Sequence, residues 1–214
     1  MQLFGYDITV DMLALALFLL CFFISIYSRE RARKSETPTG KGIRSKYRKS
    51  WVEYILKKGD DRTVVEVVRN SILVSTALMT AVIISFGFVL AKVPALDVAL
   101  DVVAGFRILA MMALLAYAFF MLVLEGRTLI YLPVVFGTSE KLIESLDNMK
   151  KVDYVAKLLH ESFDHFSNAI RALVFIVALL VWFYNVYLFM LFTVILTFAM
   201  VHEDYGRRSE IMLF

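Results

Sequence analysis

Between Ile8 and Tyr27 the chain carries a single charged residue, Asp11, and between Ala172 and Met200 it carries none. Uncharged runs also fill Asn70 to Ala91 and Ile108 to Leu124. A helix needs about 18 to 20 apolar residues to cross about 30 Å of hydrocarbon at about 1.5 Å per residue. In lipid no water is present to bond free N–H and C=O groups, so each run has to satisfy its own backbone as a helix. Composition agrees: a chain of 214 residues that is 60% hydrophobic and 20% charged is too apolar for an ordinary soluble domain. The expected fold is an all-α polytopic membrane protein forming a single membrane domain over residues 1–214. It has about five transmembrane helices, with four as the alternative, plus amphipathic cytoplasmic helices.

The spans are expected at about residues 8–27, 70–93, 102–124, 166–184 and 186–202. The first is followed by Arg29, Arg31, Arg33 and Lys34. A basic flank on that side suits a retained anchor with its N-terminus outside, not a cleaved signal peptide. Residues 28–69 and 138–165 are then cytoplasmic, and the short acidic link with Asp97 and Asp101 is outside. Lys92 and Pro94 mark the exit of the second span, while Pro133 and Gly137 are expected to end the helix of the third.

Ala172 to Met200 is long for one span and short for two. The cluster Trp182, Tyr184 and Tyr187 around Asn185 belongs at a membrane–water boundary, so a tight hairpin is expected there. The alternative is one long tilted helix with an outside C-terminus. The hairpin puts Arg207 and Arg208 in the cytoplasm and lets Arg171 snorkel at the inner end of its arm.

Glu36 to Gly42 is linker chemistry. After it, Ile43, Tyr47, Trp51, Tyr54 and Ile55 recur near helical spacing, interleaved with Arg44, Lys46, Arg48 and Lys49. This is either a basic amphipathic helix lying on the inner leaflet with Trp51 at headgroup depth, or a helix packed on its own cytoplasmic neighbours. Residues 138–165 read as two short amphipathic helices.

Cys21 is the single cysteine, so no intrachain disulfide forms. No nucleophile constellation, phosphate-binding glycine loop or cysteine cluster is present, and no enzyme activity, cofactor or metal is expected. His160-Glu161-Ser162-Phe163-Asp164-His165 offers only paired ligands and departs from the zinc-protease spacing, so it reads as a solvated helix face. The basic residues crowd beside a span and do not form a separate patch, which argues against nucleic acid.

The polar residues of interest lie where spans meet the cytoplasm. Arg69, Arg127 and Arg171 reach similar depth on three helices, with Glu66, Asn70, Glu125, Tyr131 and Asn168 beside them. Either each arginine snorkels alone, or they form a shared charge network offering guanidinium donors to an anion or lipid phosphate. Ser71, Ser75, Thr76, Thr80, Ser85 and Gly87 on the second span suit close helix packing or a wetted path. On the outer side Arg107 has Asp11, Asp97 and Asp101 as candidate partners.

Asp60-Asp61 ahead of Arg69-Asn70, Ser75-Thr76, Arg127 and Tyr131 with Gly137, Phe166 with Arg171, and Trp182-Phe183 followed by Leu188-Phe189 together resemble an uncharacterised membrane family, domain of unknown function 599. The resemblance runs from about Tyr47 to Tyr205. It implies an architecture and no chemistry. Relatives often carry His-Pro where this chain has Asn185-Val186, which implies a turn.

Two functions remain in view. One is a homo-oligomeric pore or transporter in the cell membrane for a small solute, anions favoured by the inner arginines. The other is a non-transporting scaffold that binds anionic lipid or a protein partner through the basic helix.

Overall fold

The computed structural model describes residues 2–3, 6–34, 40–92 and 102–205. Two short strands, β1 (Gln2–Leu3) and β2 (Tyr6–Asp7), pair antiparallel with Leu3 opposite Tyr6. The helices are α1 (Ile8–Lys34), α2 (Gly40–Lys58), α3 (Asp61–Lys92), α4 (Val102–Gly137), α5 (Glu140–Asp147), α6 (Lys151–Trp182) and α7 (Val186–Tyr205). Among them α1, α3, α4, α6 and α7 are long and apolar enough to cross a membrane. The chain is an all-α integral membrane protein. Pro94, Asp97, Asp101, Arg207, Arg208 and the Glu36–Thr39 part of the linker lie outside the described residues.

The chain divides into two compact units. The first comprises residues 1–43, 86–115 and 172–214. Its α1 buries Ala14, Phe18, Cys21, Phe22, Ser25 and Ser28, a seam recurring every three or four residues. Phe18 meets the Phe175 ring edge-on at 5.6 Å and the Phe189 ring at 5.6 Å, and Phe22 meets Phe175 at 5.3 Å. Trp182 stacks on Phe189 at 4.7 Å, nearly coplanar. Lipid is as apolar as these rings, so their contact in a bilayer is held by close packing and not by escape from water. The Ser28 hydroxyl donates to Asp204 Oδ2 at 3.3 Å, adding a polar tie between α1 and α7.

The turn between α6 and α7 decides between one span and two. The amides of Tyr184 and Asn185 both donate to the Val181 carbonyl at 3.0 Å, closing α6. Asn185 Oδ1 then accepts from the amides of Tyr187 at 2.9 Å and Leu188 at 3.1 Å, which is N-cap geometry for α7. A break capped on both sides is incompatible with one continuous helix, and Tyr184 is 85% exposed at its tip.

The second unit comprises residues 44–85 and 116–171. Val52 and Ile55 of α2, Val64 and Val68 of α3, Leu129, Leu132 and Phe136 of α4, and Val155 and Leu159 of α6 form one buried cluster. Gly59, at φ 68°, stops α2: its amide donates to the Ile55 carbonyl at 3.0 Å. A residue with a Cβ would be strained in that left-handed conformation. Asp60 immediately caps α3, accepting from the Thr63 amide at 3.1 Å and the Thr63 hydroxyl at 2.9 Å. Lys151 caps the far end of α4, its Nζ donating to the carbonyls of Phe136 at 2.6 Å and Thr138 at 2.8 Å.

Two expectations need correcting. The helices overrun the apolar windows: α3 begins at Asp61, α4 continues to Gly137 with Pro133 inside it, and α2 already starts at Gly40 within the presumed linker. Run length marks the part of a helix that suits lipid, whereas the helix itself stops only where caps or left-handed residues stop it. Pro133 costs α4 one amide in its final turn, where the chain is about to leave the helix. Residues 138–165 are not two short helices. Asn148, at φ 54°, ends α5, and from Lys151 the chain runs unbroken to Trp182.

Candidate functional site

The residues expected to form one polar cluster all lie in the second unit, yet they face different ways. On the part of α4 within this unit the buried positions are Ala118, Leu122, Glu125, Leu129, Leu132 and Phe136, alternating steps of four and three. Glu125 therefore occupies a core position in an apolar seam. Arg127, two residues on, is rotated by about 200° and lies on the exposed side. On α3 the buried positions include Val64, Val68, Ser75 and Val82, which leaves Glu66, Arg69 and Asn70 exposed.

Glu66 pairs with Arg62 one turn back on its own helix, Oε1 accepting from Nε at 3.3 Å. That exposed pair contributes little to stability. Among the described residues Arg69 and Arg127 make no ion pair. Arg171 is buried, which corrects the expectation that it snorkels to the surface. The shared arginine–glutamate network does not form: Glu125 Oε2 lies 2.8 Å from the Ser75 hydroxyl and has no cation within ion-pair distance among the described residues. Ser75 Oγ also lies 3.0 Å from the Ser71 carbonyl oxygen.

Arg127 and Tyr131 flank a shallow open groove lined also by Met79, Val123, Gly126 and Ile130. A Cβ placed on Gly126 would meet nothing within 4 Å, so the groove does not depend on this glycine for room. The groove is largely apolar, with one guanidinium and one phenol as its polar handles.

The basic helix is bound to α6 through two of its candidate lipid contacts. Lys49 Nζ is 2.6 Å from Asp153 Oδ1. The Asp153 carboxylate, through its hydrogen bond and then its charge, holds the Lys49 ammonium above its usual range. Arg48 Nη2 donates to His160 Nδ1 at 2.7 Å, and its guanidinium lies 5.3 Å above the Phe163 ring. Arginine never accepts, so His160 holds its ring proton on Nε2, 3.6 Å from Asp164 Oδ2. Trp51 is half-buried against the apolar cluster. Packing on its own neighbours is thus how α2 uses Arg48, Lys49 and Trp51, while Arg44 and Lys46 remain exposed. Packing on cytoplasmic neighbours is one of the two readings the spacing allows, and the residue it leaves out is Val52, buried in the same cluster as Ile55.

In the first unit Asp11 is 5% exposed and Oδ1 accepts twice, from Arg107 Nη2 at 2.8 Å and from Trp182 Nε1 at 2.8 Å. The Arg107 guanidinium also lies 5.2 Å from the Trp182 ring centre and 5.9 Å from that of Phe183. The expected Arg107–Asp11 pair is present, and Trp182, read from sequence as a boundary aromatic, is its third member. Among the described residues no group of three or more His, Cys, Asp or Glu side chains could hold a metal ion.

No curated protein and no solved structure matches the chain. The sequence pattern of DUF599, protein of unknown function, matches residues 12–209, which take in all of α2 to α7 and α1 from Met12 onward, and the chain belongs to this family.

Proposed function

We propose that the chain works as a homo-oligomer in the cell membrane, N-terminus outside and C-terminus in the cytoplasm, and passes a small solute with anions favoured. The observation that carries this reading is Arg127. An exposed guanidinium on a spanning helix, with no carboxylate partner among the described residues, is costly in hydrocarbon unless water or a second subunit meets it. Tyr131, one turn on, adds a hydroxyl to the same groove. The α3 helix supports assembly: only 11% of its apolar window is buried, and Thr76, Ala77, Thr80, Ala81 and Ser85 are exposed. Small residues of this kind allow close approach between helices in lipid. An arginine contributed by each subunit would favour anions in a shared path. No reaction is assigned.

The test is flux in liposomes holding purified protein, comparing chloride with potassium and wild type with Arg127→Ala. Chloride flux above potassium flux, reduced several-fold in the variant, is expected. Equal flux in both proteins removes Arg127 from the path, and no flux from folded, inserted protein overturns transport.

One observation favours the scaffold reading as a second. Tyr47 and Tyr54, two turns apart on α2, are 71% and 61% exposed and share a face with Lys58. Aromatic rings beside a lysine suit an anionic headgroup layer. This face predicts salt-weakened binding to anionic over neutral vesicles, reduced in a Tyr47→Ser, Tyr54→Ser variant. Equal binding to both vesicles at every salt concentration excludes it.

A further inference from the structure

The buried carboxyl of Glu125 has no place in the transport reading, and its surroundings specify its state. Ser75 Oγ stands within hydrogen-bonding distance of two oxygens, the Ser71 carbonyl at 3.0 Å and Glu125 Oε2 at 2.8 Å. A hydroxyl carries one hydrogen and can serve two acceptors only by sharing it in a weaker three-centre bond. Each contact is a full two-centre bond only when Ser75 donates to Ser71 and accepts from Glu125. A carboxylate has no hydrogen to give, whereas a carboxylic acid has one.

The charge balance points the same way. Glu125 is 4% exposed, in a seam otherwise made of Ala118, Leu122, Leu129 and Leu132. The titratable residues on the helices of this unit include Glu66 and Arg69 on α3, Arg127 on α4, and His160, Asp164, His165 and Arg171 on α6. None of the cations pairs with Glu125. An ionised carboxylate here would have one neutral hydroxyl to replace its hydration, and a buried charge so poorly compensated is unstable.

We propose that Glu125 is a proton-binding site in the buried seam of α4, kept as the neutral acid at neutral pH and donating its hydrogen bond to Ser75. The ligand is a proton, and binding it keeps the α3–α4 seam free of charge. Loss of the proton leaves a carboxylate facing Ser75, and the seam then has to admit water or a cation. The site rests on Ser75 and Glu125 alone and does not require the chain to pass a solute.

The experiment is infrared spectroscopy of the full chain in liposomes at neutral pH, wild type against Glu125→Gln. Glutamine keeps the shape and a donor for Ser75, so the fold is retained. The expected result is loss of a protonated-carboxyl carbonyl band in the variant, with the same band in wild type shifting on Ser75→Ala. A variant that instead loses a carboxylate band shows that Glu125 is ionised and overturns the proposal. If Glu125→Gln fails to fold, the Ser75→Ala spectrum decides, because an unmoved acid band overturns the hydrogen bond. Neither readout uses flux, so the proposal and the transport reading fail separately.

Discussion

Asp11 is the acceptor on which three helices of the first unit converge, and replacing it by leucine gives the sharpest energetic test of the fold. The change removes two 2.8 Å hydrogen bonds and leaves Arg107, whose side chain is 9% exposed, without its carboxylate. Bonds to charged groups contribute about 1.5–3 kcal/mol each, and breaking a buried ion pair from one side costs about 3–5 kcal/mol. Neutral polar contacts between helices in membranes run lower, near 0.6 kcal/mol on average, because unfolded spans find other partners in lipid. A charge shielded by protein on this scale belongs to the first class, so Asp11→Leu is expected to cost about 3–4 kcal/mol. Arg107→Met should cost less, about 2–3 kcal/mol, because the Trp182 indole still donates to the carboxylate. The double variant removes both charges, and its loss should fall short of the sum by about 1.5–3 kcal/mol. Reversible unfolding in mixed micelles of rising SDS fraction, followed by circular dichroism, measures all three. Additivity within about 0.5 kcal/mol, or an Asp11→Leu loss below about 1 kcal/mol, would refute the coupling.

Asn185→Ala removes the acceptor for the Tyr187 and Leu188 amides, and a loss of about 1 kcal/mol in the same assay is expected; Asn185→Asp should retain most of it, and equal losses in both variants would discount the cap. Asp60, outside the spans, is held below its ordinary value of 3.8 chiefly by the Thr63 amide, then by the Thr63 hydroxyl. Because the folded state binds that proton less readily, the cap's contribution is full above the ordinary aspartate range and is lost as pH falls through the folded value. Asp60→Asn should therefore match wild type near neutral pH and lose less stability on acidification, as read by thermal unfolding between pH 7 and 3; parallel acid profiles would contradict this.

Five spans were legible in the sequence because uncharged length is a direct statement about solvent, and the hairpin was legible because Trp182, Tyr184, Asn185 and Tyr187 cannot comfortably sit together at mid-bilayer. Helix ends were not legible by the same signal. The polar stretch Lys151–His165 contains neither proline nor glycine, so nothing in it stops a helix that later becomes apolar. The candidate site was located by region but not by partnership. Glu125 and Arg127 are close in sequence, of opposite charge and similar depth, and on that basis they belong together. Helical rotation places one in the seam and the other outside it. Reading the step pattern Leu122, Glu125, Leu129, Leu132 as a seam would have separated them, and the matching step from Val68 to Ser75 on α3 would have offered the serine as partner.

The three residues between Trp182 and Val186 also bear on how the protein is made. A turn this short gives neither arm slack to wait in water while the other enters lipid. With the turn on the outer side, as in the proposed orientation, the apolar half of α6 and α7 would insert as one piece, leading with the turn. The cargo pushed across is small: Tyr184, the Asn185 amide, and backbone amides already bonded to Val181 and to the Asn185 side chain. In that orientation the last two spans are expected to thread together, and lengthening this turn with a flexible polar insert is expected to uncouple them.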